Sequence, residues 1–168
     1  MVKSEKGVTL LILAITIIVL FILMGVSVNT GYNTLTNVRA GRVISNMNLI
    51  KVKLEDIYEE AQFNDDESLF VGVGNTKYSL AEILNQNNMP GFKDEFDNYN
   101  EISTIRNWYE WNESILKSQG LDTKILKDGG KIFVNYESSE VIYTKGATVD
   151  NNQYYYTLTA LENVFETE

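Results

Sequence analysis

The apolar positions fall into three regimes along the chain. Over residues 8–28 they are unbroken: VTLLILAITIIVLFILMGVSV is 21 residues without a charge. As a helix this run measures roughly 31 Å, the hydrocarbon thickness of a bilayer. Its polar members, Thr9, Thr16 and Ser27, carry hydroxyls that can bond back to the helix's own carbonyls. Further on, Val43, Met47, Ile50, Leu54, Ile57 and Ala61 recur at alternating steps of four and three, which puts them on one helical stripe. Lys51, Lys53, Glu55, Asp56, Glu59 and Glu60 fall mainly off that stripe. The stretch between, 29–41, is rich in Asn, Thr and Gly, and each of Gly25, Gly31 and Gly41 weakens a helix by about 1 kcal/mol relative to Ala. A helix continuous over 8–61 would be about 80 Å long.

Residues 63–168 form the third regime. Asn64, Asp65, Asp66 and Glu67 make a polar break. Ser79 with Glu82 fits a capping box opening a short helix towards Asn85. Residues 87–100 read as a loop holding the single proline, Pro90. Asn107 with Glu110 predicts the cap of a helix carrying Trp108, Trp111, Ile115 and Leu116 and ended by Gly120. Strands are expected at 124–127, 131–136, 140–144 and 153–156, with turns at Asp128-Gly129-Gly130 and Glu137-Ser138-Ser139. Thr159 with Glu162 predicts a last helical turn. The expected class is α+β: a long N-terminal helix whose second half packs under a small antiparallel sheet with short helices. Tyr78-Ser79-Leu80 and Tyr156-Thr157-Leu158 echo each other, too briefly for a repeat.

Composition removes most enzyme classes. The 168 residues include no Cys and no His, so disulfides, Fe–S clusters, thiolate zinc sites and the commonest general base are absent. A net charge of −9 argues against a nucleic acid as the partner of the head. No cofactor, metal site or catalytic residue is predicted. Gly72-Val73-Gly74-Asn75-Thr76-Lys77 lacks the GxxxxGK[ST] spacing of a phosphate loop and reads as a turn. Asp65, Asp66 and Glu67, or Asp94, Glu95 and Asp97, could bind Ca²⁺, but neither group follows the EF-hand pattern and a solvated acidic loop is the simpler account. Tyr154, Tyr155 and Tyr156 with Trp108 and Trp111 either form an adhesive surface or fill a core.

Lys3 and Lys6 precede the apolar run and no Lys or Arg stands in 29–38. The positive-inside rule then puts the stub 1–7 in the cytoplasm and the head outside, on a single-pass membrane protein. The stub ends Lys6-Gly7 and the run opens Val8-Thr9-Leu10-Leu11. In this order of basic leader, Gly, Thr-Leu and apolar helix, residues 3–31 resemble the type IV pilins and pseudopilins, in the pattern of low-GC Gram-positive bacteria. The resemblance implies a leader at 1–7, an assembly helix at 8–28, an extracytoplasmic half of the same helix at 29–62 and a head at 63–168. It further implies that a prepilin peptidase cuts between Gly7 and Val8 and methylates the new amine of Val8. Like subunits forming a helical filament, an assembly ATPase, a membrane platform protein and, before assembly, the lipid bilayer are the implied partners. Family members usually carry Glu at the fifth mature position, where Ile12 stands. An initiating or tip subunit, or a branch that assembles without the Glu, would each account for it. The competing reading is an uncleaved anchor bearing an extracellular binding or sensory domain.

Overall fold

Helix α1 spans Glu5–Asn64. The computed structural model describes residues 5–148 and 153–166, and along α1 the side chains of 13–20 and of 37 onward. The stripe expected on 43–61 is the buried face of α1: Met47, Ile50, Leu54 and Ala61 are at most 2% exposed, and Val43 and Ile57 pack beside them. Apolar residues at helical spacing have burial as their driving force, and here the sheet supplies it.

Among the described residues five strands pair antiparallel in chain order: β1 (Lys77–Ser79), β2 (Arg106–Trp111), β3 (Ile132–Asn135), β4 (Glu140–Ala147) and β5 (Tyr155–Thr157). The shorter helices are α2 (Leu80–Gln86), α3 (Tyr99–Ile102), α4 (Glu113–Ser118) and α5 (Leu158–Glu166). The class is α+β, as expected. Side-chain alternation sorts the strands into two faces. Tyr109, Trp111, Ile132, Val134, Val141 and Tyr143 face α1, α4 and α5. Trp108, Phe133, Ile142 and Tyr156 face the segment from α2 to α3, whose Leu80, Ile83, Met89 and Phe92 close a second core. The register agrees, with Tyr109 opposite Val134 and Phe133 opposite Ile142.

That second layer explains where the sequence misleads. Residues 106–111 form strand β2, not the start of a helix capped by Asn107. Trp108 and Trp111 would share a helical face, but on a strand they point to opposite sides, and each fills a different core. Because both faces are covered, the strand shows no polar alternation to mark it. The helix begins later: the Asn112 side chain accepts from Ile115 N–H at 3.0 Å and caps α4. Residues 124–127 do not form a strand, since Lys124–Leu126 is a single 3-10 turn. The expected loop at 87–100 contains a 3-10 turn at Phe92–Glu95 and the start of α3. The last helix is capped at Thr157, not Thr159: Ala160 N–H donates to Thr157 Oγ1 at 3.2 Å.

Among the described residues no helix is long and apolar enough to cross a membrane. Of the apolar run 8–28, only 13–20 have described side chains.

Candidate functional site

One helix has two different surroundings. From 37 onward α1 is seated on the sheet, whereas over 13–20 every side chain is exposed. Leu13, Ile15, Ile17, Ile18, Val19 and Leu20 are 44–61% exposed, and they point to all sides of the helix. Six large apolar side chains within eight residues amount to an unsatisfied apolar surface, a feature that marks a contact with lipid or protein. Within this stretch Thr16 Oγ1 donates to Leu13 O at 2.8 Å, so its hydroxyl is satisfied by the helix itself, as expected. Gly7, Val8 and Ile12 belong to α1, and their side chains lie outside the described residues.

The head holds α1 through a clasp that the sequence did not signal. Helix α5 lies against α1, with Leu158, Leu161 and Val164 in the same core as Met47 and Leu54. Two distant carboxylates occupy the N-terminal end of α5. Glu95 accepts from Tyr156 N–H at 2.9 Å, Thr157 N–H at 2.8 Å and Thr157 Oγ1 at 2.7 Å. Glu140 accepts from Leu158 N–H at 3.0 Å and from the Thr159 hydroxyl. Carboxylates at a helix N-terminus satisfy its unpaired amides and meet the positive end of its dipole. Burial pushes the Glu95 carboxyl above its ordinary range; the bonds from Thr157 and Tyr156 oppose this and nearby Glu140 adds to it. Glu95 is thus a structural group pointed inward, and the acidic stretch 94–97 is not a uniform solvated loop. Asp66 likewise has a local task, accepting from Ser68 N–H at 2.9 Å to cap a 3-10 turn.

The other chemical possibilities resolve into structure. Residues 72–76 make a turn in which Gly74 and Asn75 take left-handed φ of 63° and 51°, and Lys77 opens strand β1. Trp108, Trp111 and Tyr156 are buried, so they build cores, and Tyr154 alone of that group is half exposed. The Tyr136 hydroxyl donates to Val71 O at 2.9 Å and accepts from Val71 N–H and Trp111 Nε1–H, pinning the 65–76 loop to the sheet. Burial pushes its pKa up to about 12. Beside it lies a cleft of about 70 Å³ lined by Glu67, Phe70, Lys77, Asn107, Tyr109 and Glu137 among others. Lys77 Nζ sits 5.6 Å above the Tyr109 ring. A small-molecule site normally needs some 300 Å³ or more, so this cleft suits a few waters. The exposed apolar stretch of α1 is therefore the feature with the clearest functional demand. No protein-family model, curated protein or solved structure matches the chain.

Proposed function

We propose that the chain is a structural subunit of a type IV pilus or type II secretion-like filament. A prepilin peptidase removes residues 1–7, Val8 becomes the methylated N-terminus, and the apolar half of α1 leaves the lipid for a bundle of like helices. The observation that carries this reading is the division of α1: one face of its second half is buried by its own head, while Leu13 to Leu20 present apolar side chains all around with no partner among the described residues. A helix apolar on every side needs either lipid or neighbours of its own kind. The order Lys3, Lys6, Gly7, Val8, Thr9, Leu10 adds the processing signal. In this reading an assembly ATPase and a membrane platform protein drive the transfer, and the head stays outside the cell.

The test is the mature N-terminus. Mass spectrometry of assembled or surface material should find Val8 as the first residue, with a methylated amine. Gly7→Leu should abolish trimming, because a side chain there collides where the peptidase must approach the backbone. Wild-type material that retains 1–6, or a Gly7→Leu chain still trimmed at Val8, would refute the assignment. The second reading, an uncleaved anchored domain, is favoured by Ile12, which leaves no carboxylate to meet a neighbour's terminal amine.

A further inference from the structure

The turn that leads from Lys124–Leu126 into β3 carries the chain's single Asp-Gly step, Asp128-Gly129, and the sequence has no Asn-Gly step. Both glycines are dictated by the fold. Gly129 takes φ +78°, and a Cβ on Gly130 would stand 2.4 Å from Tyr143 Cε2. Asp128 is dictated by Tyr143, a buried side chain whose hydroxyl needs an acceptor. That hydroxyl donates across the carboxylate, to Oδ1 at 2.6 Å and to Oδ2 at 2.5 Å. Gly130 N–H also donates to Oδ1, at 3.2 Å. Burial and the adjoining Asp128 carboxylate push the ionisation of Tyr143 above the ordinary tyrosine range, so its hydroxyl keeps its proton and stays a donor. Just past the turn, Lys131 N–H donates to Thr144 Oγ1 and Thr144 N–H to Lys131 O, both at 2.9 Å, which closes the end of the β3–β4 pair.

The fold thus builds in a chemically weak step. A glycine after an aspartate has no Cβ to shield its nitrogen. The Gly129 nitrogen can bond to Asp128 Cγ while one Cγ–O bond breaks. Water leaves, made of that oxygen, the amide proton and a carboxyl proton, and a five-membered imide remains. Water then reopens the imide at either carbonyl. Opening at Cγ restores aspartate. Opening at the main-chain carbonyl leaves the chain running through Cβ and Cγ, one carbon longer, as isoaspartate. Asp128 and Gly129 are both exposed, so water is at hand. We infer that Asp128-Gly129 is the head's site of spontaneous isomerisation, and that Tyr143 is the guard that suppresses it. For the first bond to form, Cγ must turn towards the Gly129 nitrogen and the nitrogen must give up its proton. Tyr143 and Gly130 hold the two carboxylate oxygens. The Gly129 N–H is itself engaged, donating to Leu126 O at 3.1 Å. Each reacting group is therefore tied elsewhere in the folded head, and both ties must break first. Isoaspartate carries its free carboxylate on Cα, out of place for Tyr143, and the buried hydroxyl is left without its acceptor.

The experiment uses the full chain, purified in detergent and incubated warm near neutral pH. Peptide mapping by mass spectrometry, with electron-transfer fragmentation, follows isoaspartate at position 128 over days. The same chain in urea gives the unguarded rate. Folded wild type should isomerise about a hundredfold more slowly than that, and equal rates would overturn the inference. Tyr143→Phe, folded, should isomerise about tenfold faster than wild type, the effect of one lost hydrogen bond to a charged group. Gly130→Ala, whose Cβ pushes the Tyr143 ring away from Asp128, should accelerate the reaction as well. It carries the same test if Tyr143→Phe does not fold. Tyr136→Phe removes a buried hydroxyl from another part of the sheet and should leave the rate at position 128 unchanged. Acceleration by Tyr136→Phe equal to that of Tyr143→Phe would overturn the inference, because general loosening of the head would then be the cause. A folded Tyr143→Phe chain that isomerises at the wild-type rate would mean that the backbone of the turn protects itself. One that isomerises more slowly would mean that the hydroxyl helps the carboxyl oxygen to leave. Either result overturns the guarding role of Tyr143.

Discussion

Leu54→Ala tests whether α1 is the spine of the head. Leu54 is fully buried, between Ile50 and Ile57 on the helix and in the same core as Trp111, Ile132, Val134 and Val141 of the sheet. Truncation removes three carbons from a site walled by one rigid helix and a hydrogen-bonded sheet, which cannot both close on the void. The loss should lie within the usual range for a buried Leu, about 3–4 kcal/mol. Val52→Ala is the control. It lies two residues away on the same helix, but its side chain is 53% exposed and faces away from the head. Its effect should stay within about 0.5 kcal/mol, as should that of exposed Glu59→Ala. The assay is urea unfolding of a chain beginning at Asn29, which leaves out the apolar stretch. With a slope of about 1.5 kcal/mol per molar urea, Leu54→Ala should move the midpoint down by about 2 M. Equal midpoints for Leu54→Ala and Val52→Ala would mean that α1 is not integral to the head, and the reading of a separate anchor would gain.

Three further outcomes follow from the clasp and the turns. Glu95→Ala leaves two amides and a hydroxyl at the start of α5 without their acceptor and should cost about 2–3 kcal/mol in the same assay. Burial raises the Glu95 pKa above 4.5, so the folded state holds the proton more tightly than the unfolded one. Its contribution is then fullest below the unfolded pKa and declines as pH rises through the folded one; wild-type stability relative to Glu95→Gln should fall from about pH 4 towards pH 7, and a difference that grew would contradict this sign. Gly146→Ala should cost about 1–3 kcal/mol, since Gly146 sits at φ +61° and a Cβ would stand 2.7 Å from the Tyr155 carbonyl oxygen. Tyr136→Phe should loosen the 65–76 loop, seen as faster amide exchange at Val71 and altered Trp111 fluorescence, with no change in secondary structure.

The parts legible in the sequence are those whose signal is local. Leu54 and its stripe follow from spacing alone, and the capping box at Ser79 and Glu82 is present with both bonds, Glu82 N–H to Ser79 Oγ at 3.3 Å and Ser79 N–H to Glu82 at 2.8 Å. The missed parts depend on partners far along the chain. Nothing near Trp108 says that a second layer from α2 to α3 will cover its face, so the spacing to Trp111 suggested a helix. Nothing near Thr157 announces Glu95, 62 residues earlier, as the group that takes its amide. The exposure of Val38, Leu49, Val52 and Phe63 on α1 was hidden for a different reason: four apolar residues among polar ones are conspicuous only once the opposite stripe is known to be the buried one.

The sheet itself adds an argument about how copies can associate. An open antiparallel sheet can grow by adding a strand at an edge, and this one has two edges, β1 and β5. Each is only three residues long. Each is interrupted by an irregular register, between Tyr78 and Ser79 on one side and between Ile142 and Ala147 of the β4–β5 pairing on the other. The Tyr-Ser-Leu and Tyr-Thr-Leu echo falls at these two edges. In both places the strand ends on a hydroxyl residue that caps a helix, Ser79 for α2 and Thr157 for α5. The chain therefore turns away from the sheet plane at once, and among the described residues no long edge is left to recruit a strand. With strand addition blunted on both sides, the filament proposed above would have to assemble through side-chain surfaces. Most of the exposed large apolar side chains on the described chain are on α1, from Leu13 to Leu20 and at Val38, Leu49, Val52 and Phe63. In the filament proposed above, the stretch from Leu13 to Leu20, apolar on every side, is therefore the surface on which like subunits would meet.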